Sequence, residues 1–174
     1  MNSERLATSF VLETDRLKLR HLRKDDADFI MQLVNSEGWI SNIGDRNIHD
    51  QVAAKAYIQS ITDQYSTNAL ALSCIVRKSD SRPIGIGGTL QRDYLPDPDV
   101  GYALLPEAYG QGYASEMVAS VIAAYFEQTK NLELLAIVKS HNKASIRLLQ
   151  KLDFTESSAL KTSKNDDLVF SLRK

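Results

Sequence analysis

The stretch from Val100 to Val138 constrains the fold more than any other part of the chain. Ala114, Met117, Val118, Val121, Ile122, Tyr125 and Phe126 recur at i, i+3, i+4, i+7, i+8, i+11 and i+12, a single apolar stripe along a long helix. Before it, Val100, Tyr102 and Leu104 alternate as a strand that stops at Pro106. After it, Leu132–Val138 is an almost continuous apolar run, the pattern of a strand covered on both faces. A strand, a helix and a strand in that order imply a right-handed crossover between parallel neighbours. A further helix over Lys143–Leu152 presents Ile146, Leu148, Leu149 and Leu152, and a last strand includes Leu168–Leu172.

The N-terminal half reads differently. Leu17 and Leu19 alternate with Lys18 and Arg20, the period of a half-buried strand. Asp25 offers an N-cap, with Asp28 three residues on, to a helix carrying Ala27, Ile30, Met31 and Val34. Ala54, Tyr57, Ile58, Ile61 and Tyr65 predict a second helix over Val52–Tyr65. Strands over Ala69–Arg77 and Pro83–Gln91 flank the turn-like KSDSR. The class is therefore α+β (mixed α/β), antiparallel strands first and a βαβ unit later. Four scattered prolines (Pro83, Pro96, Pro98, Pro106) mark no linker, and no repeat is present, so residues 1–174 read as one domain. The first ten residues and the polar Lys161–Asp167 are the expected mobile stretches.

Composition removes several function classes. Twenty-one Lys and Arg against 22 Asp and Glu give a formal charge of −1, without the basic field that non-specific nucleic-acid binding needs. No apolar run approaches the roughly 20 residues that span a bilayer, and the start, MNSERLATSFVLETD, carries no signal-peptide h-region. A single cysteine, Cys74, forms no internal disulfide, and His21, His49 and His141 lie too far apart for metal-ligand spacing. The expectation is a cytoplasmic, metal-free domain that binds neither membrane nor nucleic acid.

The turn PEAYGQGYASE supplies the first chemistry. Gly110 and Gly112 let backbone N–H groups converge at the start of the long helix, where the positive end of the macrodipole lies. That is an anion site, unless the glycines serve only a tight turn. The same residues also fit the dinucleotide fingerprint G-x-G-x-x-G/A, with Ser115 in the last place and Glu133 roughly 20 residues on. An NAD(P)-binding oxidoreductase is therefore one alternative. Against it, Glu133 begins its strand where the ribose-binding acid should end one.

A second element, SHNKASIRLLQKLDF, spaces Asn142, Ser145 and Leu148 three apart and closes in Asp153-Phe154. With the glycine turn ahead of it, the chain resembles the GNAT superfamily of acetyl-CoA-dependent N-acetyltransferases. Within it, the chain is most similar to the ribosomal-protein N-terminal acetyltransferases (RimJ/RimL-like). The resemblance runs from ETDRLKLRHLRKDDAD through DVGYALLPEAYGQGYASE to N-x-x-S-x-x-L. Two positions depart from the pattern: Tyr109 opens the pyrophosphate loop where the family usually has Gln or Arg, and Asp153 stands where many relatives have Gly.

The resemblance implies a central mixed sheet of about six to seven strands with about four helices. It also implies a splayed parallel pair that leaves a slot for the cosubstrate. Pantetheine would pair with the backbone of Leu104 and Leu105, and N–H groups of Gln111, Gly112, Tyr113, Ala114 and Ser115 would take the pyrophosphate. Asn142 would bond the cofactor arm, and Ser145 would sit beside sulfur as acid or hydrogen-bond donor toward the thiolate. Asp99 would serve as base through water, its alternative being a solvated carboxylate at a strand edge. An amine, from a protein N-terminus or a small molecule, would attack directly. A homodimer fits the same branch, and a non-catalytic acyl-CoA-binding module on the same fold is the other alternative. Glu107 and Glu116 read as surface charges favoured by a helix start, Cys74 as a buried hydrophobe, and Trp39 as either local packing or part of an acceptor entrance.

Overall fold

The computed structural model describes residues 10–162, 164 and 166–174. The expected mobile stretches therefore fall largely or partly outside the described residues. Among these, eight strands form one sheet: β1 (Phe10–Glu13), β2 (Leu17–Arg20), β3 (Ser73–Arg77), β4 (Arg82–Leu90), β5 (Asp99–Leu104), β6 (Glu133–Lys139), β7 (Thr155–Glu156) and β8 (Asp167–Arg173). Their order across the sheet is β1-β2-β3-β4-β5-β6-β8-β7. Every neighbouring pair is antiparallel except β5 and β6. Among the described residues five α-helices complete the fold: α1 (Ala27–Val34), α2 (Glu37–Asn42), α3 (Gln51–Thr62), α4 (Tyr113–Gln128) and α5 (Lys143–Lys151). The mixed sheet and the βαβ unit are as the sequence predicts. The additional elements, β1, β7 and α2, are short, which is why they leave no periodic signature.

Each face of the sheet has its own core. Met117, Val118 and Val121 of α4 and Leu149 of α5 pack on Leu19, Ile75, Leu134 and Phe170. On the opposite face Ile30 and Leu33 of α1 and Ile58 of α3 cover Cys74, Ile86 and Leu105. A bulge makes both cores possible on β4. Ile75 pairs with Gly85 but Val76 pairs with Pro83, leaving Ile84 over, so Ile84 and Ile86 serve opposite faces.

Three boundaries shift for local reasons. Lys24–Asp26 form a 3-10 turn, and Asp25 does not cap α1. The acid that matters is Asp26, whose carboxylate accepts Arg20 Nη1 and Nη2 at 2.8 and 2.7 Å and the Arg23 N–H at 2.8 Å. Asp50 caps α3 by accepting the Ala53 N–H at 2.7 Å, and the helix ends at Thr62, ahead of Tyr65. Tyr65 instead ties two loops, accepting the Leu22 N–H at 3.0 Å and donating to the Leu72 carbonyl at 2.8 Å. That loop role for Leu72 is consistent with β3 starting only at Ser73.

Candidate active site

The sheet opens between β5 and β6. Their register holds one pair, Asp99 with Leu135, joined by the Leu135 N–H to the Pro98 carbonyl at 2.9 Å. Beyond it β5 stays with β4 and β6 stays with β8. A cavity of about 600 Å³ occupies this opening and reaches both faces of the sheet. One end touches Gly110, Gly112 and Ser115; the other touches Trp39, Asn42 and Tyr57.

At the first end, Gly110 and Gly112 adopt φ of 71° and 81°, the left-handed region that favours glycine. The first bond into α4 runs from the Glu116 N–H to the Gly112 carbonyl at 3.0 Å. The N–H groups of Tyr113, Ala114 and Ser115 therefore precede the helical ladder and stand at the positive end of its dipole. Arg16 fixes this loop from outside: its Nη1 donates to the Gln111 carbonyl at 2.9 Å and its guanidinium lies 4.5 Å over the Tyr113 ring. Gln111 donates its side-chain amide to the Glu107 carbonyl at 2.7 Å.

Glu116 is more than a surface charge at a helix start. Its carboxylate accepts Arg16 Nε at 2.7 Å, the Arg16 N–H at 2.9 Å and Thr14 Oγ1 at 2.5 Å, anchoring the β1–β2 turn to α4. Glu107 does face solvent, 3.7 Å from Arg82.

Strand β5 faces the opening with alternate backbone groups. The Leu105 N–H donates to the Ile84 carbonyl at 2.8 Å, and its own carbonyl accepts the Ala108 N–H at 2.9 Å. Leu105 thus has no free backbone group for a ligand. The alternation that turns Leu105 toward β4 turns the backbone of Tyr102 and Leu104 toward the slot.

Asn142 caps α5, its Oδ1 accepting the Ser145 N–H at 3.2 Å. Ser145 lies on the cavity wall, and its Oγ is 2.8 Å from the Tyr102 hydroxyl. Burial raises the Tyr102 hydroxyl above its ordinary pKa, with the Ser145 bond opposing, so Tyr102 keeps its proton near neutrality. The sequence does not single out Tyr102; its signal is only its place on the Leu104 face of the strand, two residues upstream.

Asp99 is 1% exposed, in the middle of the sheet, which overturns its reading as a solvated edge carboxylate. Its Oδ1 accepts Arg92 Nε at 2.7 Å. Burial pushes its carboxyl upward and Arg92 pulls it back. Trp39 is 4% exposed, donates Nε1 to the Gly44 carbonyl at 3.1 Å, and also lines the cavity, so the packing expected of it is present at the cavity wall. Tyr109, half exposed, lays its hydroxyl against Gly38 of α2, where an added Cβ would fall 2.2 Å from that oxygen. The glycine turn and α2 meet there.

Cys74 is buried, and burial pushes its thiol up to about 12. Glu133 lies at the start of β6 and pairs with Arg173 at 3.2 Å. A strand's length separates it from the glycine turn, so the ribose-binding acid of a dinucleotide site is not there. Among the described residues no helix is long and apolar enough to cross a membrane, and no cluster of three His, Cys, Asp or Glu side chains is placed to hold a metal.

Known proteins resemble this chain in sequence and in fold. The uncharacterized N-acetyltransferase YoaA of Bacillus subtilis (strain 168) is 29% identical over 152 residues, covering 87% of this chain and 86% of that protein. An acetyltransferase structure from Agrobacterium tumefaciens str. C58 superposes with a TM-score of 0.81 at 21% identity, covering 94% of each chain. RimL, described as a ribosomal L7/L12 alpha-N-protein acetyltransferase in complex with coenzyme A, superposes at 0.78 with 15% identity, over 94% of this chain and 97% of that one. The model of the acetyltransferase (GNAT) domain matches residues 16–155, and the chain belongs to that family.

Proposed function

We propose that this acetyltransferase moves the acetyl group of acetyl-CoA to a primary amine by direct attack, with a peptide α-amine as the preferred acceptor. The carrying observation is the slot beyond the single Asp99–Leu135 pair, with an α-helix N-terminus on left-handed glycines at one end and Ser145 in its wall. The N–H groups of Tyr113, Ala114 and Ser115 hold the pyrophosphate, as a helix start does. The slot-facing backbone of Leu104 pairs with the pantetheine amides as an extra strand would. Asn142 reaches the same arm from the start of α5. The coenzyme A complex of RimL supports this placement by fold.

In the transfer the neutral amine attacks the thioester carbonyl, and a new C–N bond forms as a tetrahedral oxyanion. A slot-facing N–H of β5 stabilises that charge. Collapse breaks the C–S bond, and the thiolate leaves toward Ser145. The Ser145 hydroxyl donates to the departing sulfur while Tyr102, protonated, donates to Ser145. The amine's proton passes through water toward Asp99. Asp99 is buried and already bonded to Arg92, so the proton reaches it only through water, which favours an acceptor needing little deprotonation.

That requirement selects the α-amine. With a reference pKa of about 7.7–8.0, roughly 10–20% of an α-amine is neutral at pH 7, against roughly 0.04% of a lysine at about 10.4. The test follows free-thiol release from saturating acetyl-CoA with two peptides at pH 7. One has a free N-terminus and no lysine; the other has a blocked N-terminus and one lysine. Faster reaction of the first is expected. Faster reaction of the lysine peptide refutes the acceptor assignment, and no thiol release with any amine favours the binding-only module.

A further inference from the structure

Beyond the slot the cavity continues on the α1–α3 face of the sheet, between Trp39, Ile43, Tyr57, Leu72 and Ile86. Its wall is apolar and aromatic with three cationic side chains, Arg46, Arg92 and Lys139. Arg92 is neutralised by Asp99, the only carboxylate in that wall among the described residues. Lys139 is held by Asp166 and Asp167 at 2.9 and 2.7 Å.

Arg46 stands apart from both. It lies in the segment between α2 and α3, is exposed to the cavity mouth, and makes no hydrogen bond or ion pair among the described residues. The acids near it in sequence are engaged elsewhere: Asp45 lies 3.6 Å from His49 and accepts the Asn47 N–H, and Asp50 caps α3. Its charge is felt at the Tyr57 hydroxyl, where it opposes the upward push of burial. Among the described residues that line it, this end of the cavity therefore carries one uncompensated positive charge and no free carboxylate; Glu37, at the start of α2, lies outside that lining and acts on the Tyr109 hydroxyl.

A site built for a polyamine or a cationic peptide would show the opposite. An ammonium entering this mouth alone meets repulsion and finds no anion. We infer that the acceptor is an amine that carries its own carboxylate, and that Arg46 is the residue that selects it. This deepens the proposed function and rests on it for the identity of the reaction, but the geometry it uses is the acceptor side alone. Arginine suits the task because its planar fork takes a carboxylate in two parallel hydrogen bonds. The carboxylate comes either from a free amino acid or from an acidic residue beside a peptide α-amine.

Calorimetry in the presence of coenzyme A separates these sources without requiring turnover. One pair of probes is serine and serinamide; the other is Ser-Glu-Ala and Ser-Gln-Ala with amidated C-termini. In at least one pair the carboxylate member binds about tenfold tighter to the wild-type protein, the ratio that 1.4 kcal/mol gives. Arg46→Gln removes that ratio, Arg46→Lys keeps part of it, and Arg46→Glu inverts it. Because each ratio is compared between variants, the differing basicity of the probes cancels. Thermal melts check that the variants are folded, as expected for an exposed side chain without partners. Equal affinities in both pairs, absence of binding by every probe, or a preference that survives Arg46→Gln each overturn the inference. Loss of acetyl transfer with the binding preference intact strikes the transferase reading and leaves this one standing.

Discussion

Tyr102→Phe removes one hydroxyl from the wall of the slot and leaves the ring that packs on the first core. The lost contact is the 2.8 Å hydrogen bond to Ser145 Oγ. A neutral hydrogen bond of this kind has a net worth of about 0.5–1.5 kcal/mol, rising to about 1.5–3 when one partner faces charge, as Ser145 does when the thiolate departs. A loss of about 1–2 kcal/mol in the transition state corresponds to a fall in kcat of about 5- to 30-fold. KM for acetyl-CoA stays within about twofold, because the bond strengthens as sulfur gains charge and contributes little to ground-state binding. Ser145→Ala removes the contact with sulfur itself and lowers kcat by roughly 10- to 100-fold. If Tyr102 acts only through Ser145, adding Tyr102→Phe to Ser145→Ala has no further effect. Burial holds the Tyr102 hydroxyl above its ordinary pKa of about 10, so it is protonated across the working range and the kcat ratio of wild type to Tyr102→Phe is flat with pH up to about 9. Steady-state kinetics on the four proteins decide it. Multiplicative effects in the double variant, or a loss that grows with pH, refute a positioning role exerted through Ser145.

Four further outcomes follow from the same geometry. Gly112→Val places a branched residue at φ 81°, with its Cβ 3.2 Å from Arg16 Nη2, and lowers coenzyme A affinity in calorimetry by at least about tenfold. Glu116→Ala deprives three donors of their acceptor and lowers stability by about 1–2 kcal/mol, more than an exposed ion pair is worth, read as a shift in the denaturant midpoint. Asp99→Asn keeps an acceptor for Arg92 but removes the proposed base, so kcat/KM falls about tenfold or more at pH 7 and recovers as pH rises and the free amine deprotonates itself. Cys74, with its thiol pushed up to about 12 and buried, resists a maleimide at pH 8 in the native state and reacts at once in denaturant.

Legibility in the sequence followed the length and regularity of the pattern. The stripe from Ala114 to Phe126 and the run Leu132–Val138 gave α4 and β6 to within a few residues, because each repeats one period over a long span. Elements of two to six residues, such as β7 and α2, repeat nothing and were invisible. The placement of Asp25 as a cap failed because a different neighbour won. The Arg20 guanidinium captures Asp26, and a 3-10 turn forms where a helix start was expected. In the site, Gly112 and Asn142 were legible since backbone conformation and capping are local demands. Tyr102, Arg92 and Arg46 were not, because each matters through a partner or an absence of partner that only the folded chain creates. Arg92 meets Asp99 across a turn containing two prolines, and Tyr102 meets Ser145 from 43 positions away.

The opening in the sheet explains itself from its neighbours. Strand β5 is paired with β4 at six positions and β6 with β8 at seven, whereas β5 and β6 share one. Each strand of the parallel pair is thus committed to its outer partner, and Lys139 secures the far end of β6 to Asp166 and Asp167. Those pairings use only the outward backbone groups of each strand, so where β5 and β6 diverge the inward groups of Tyr102 and Leu104 are left without a strand partner. Buried backbone donors and acceptors without partners are costly, and a sheet interior is an unfavourable place to leave them. An extended chain bearing amides, lying along β5, satisfies them as a neighbouring strand would. Pantetheine is such a chain. In the proposed complex the polar groups that make the bare opening costly are the ones that select an amide-bearing arm, and the helix start at Gly112 fixes which way the arm points.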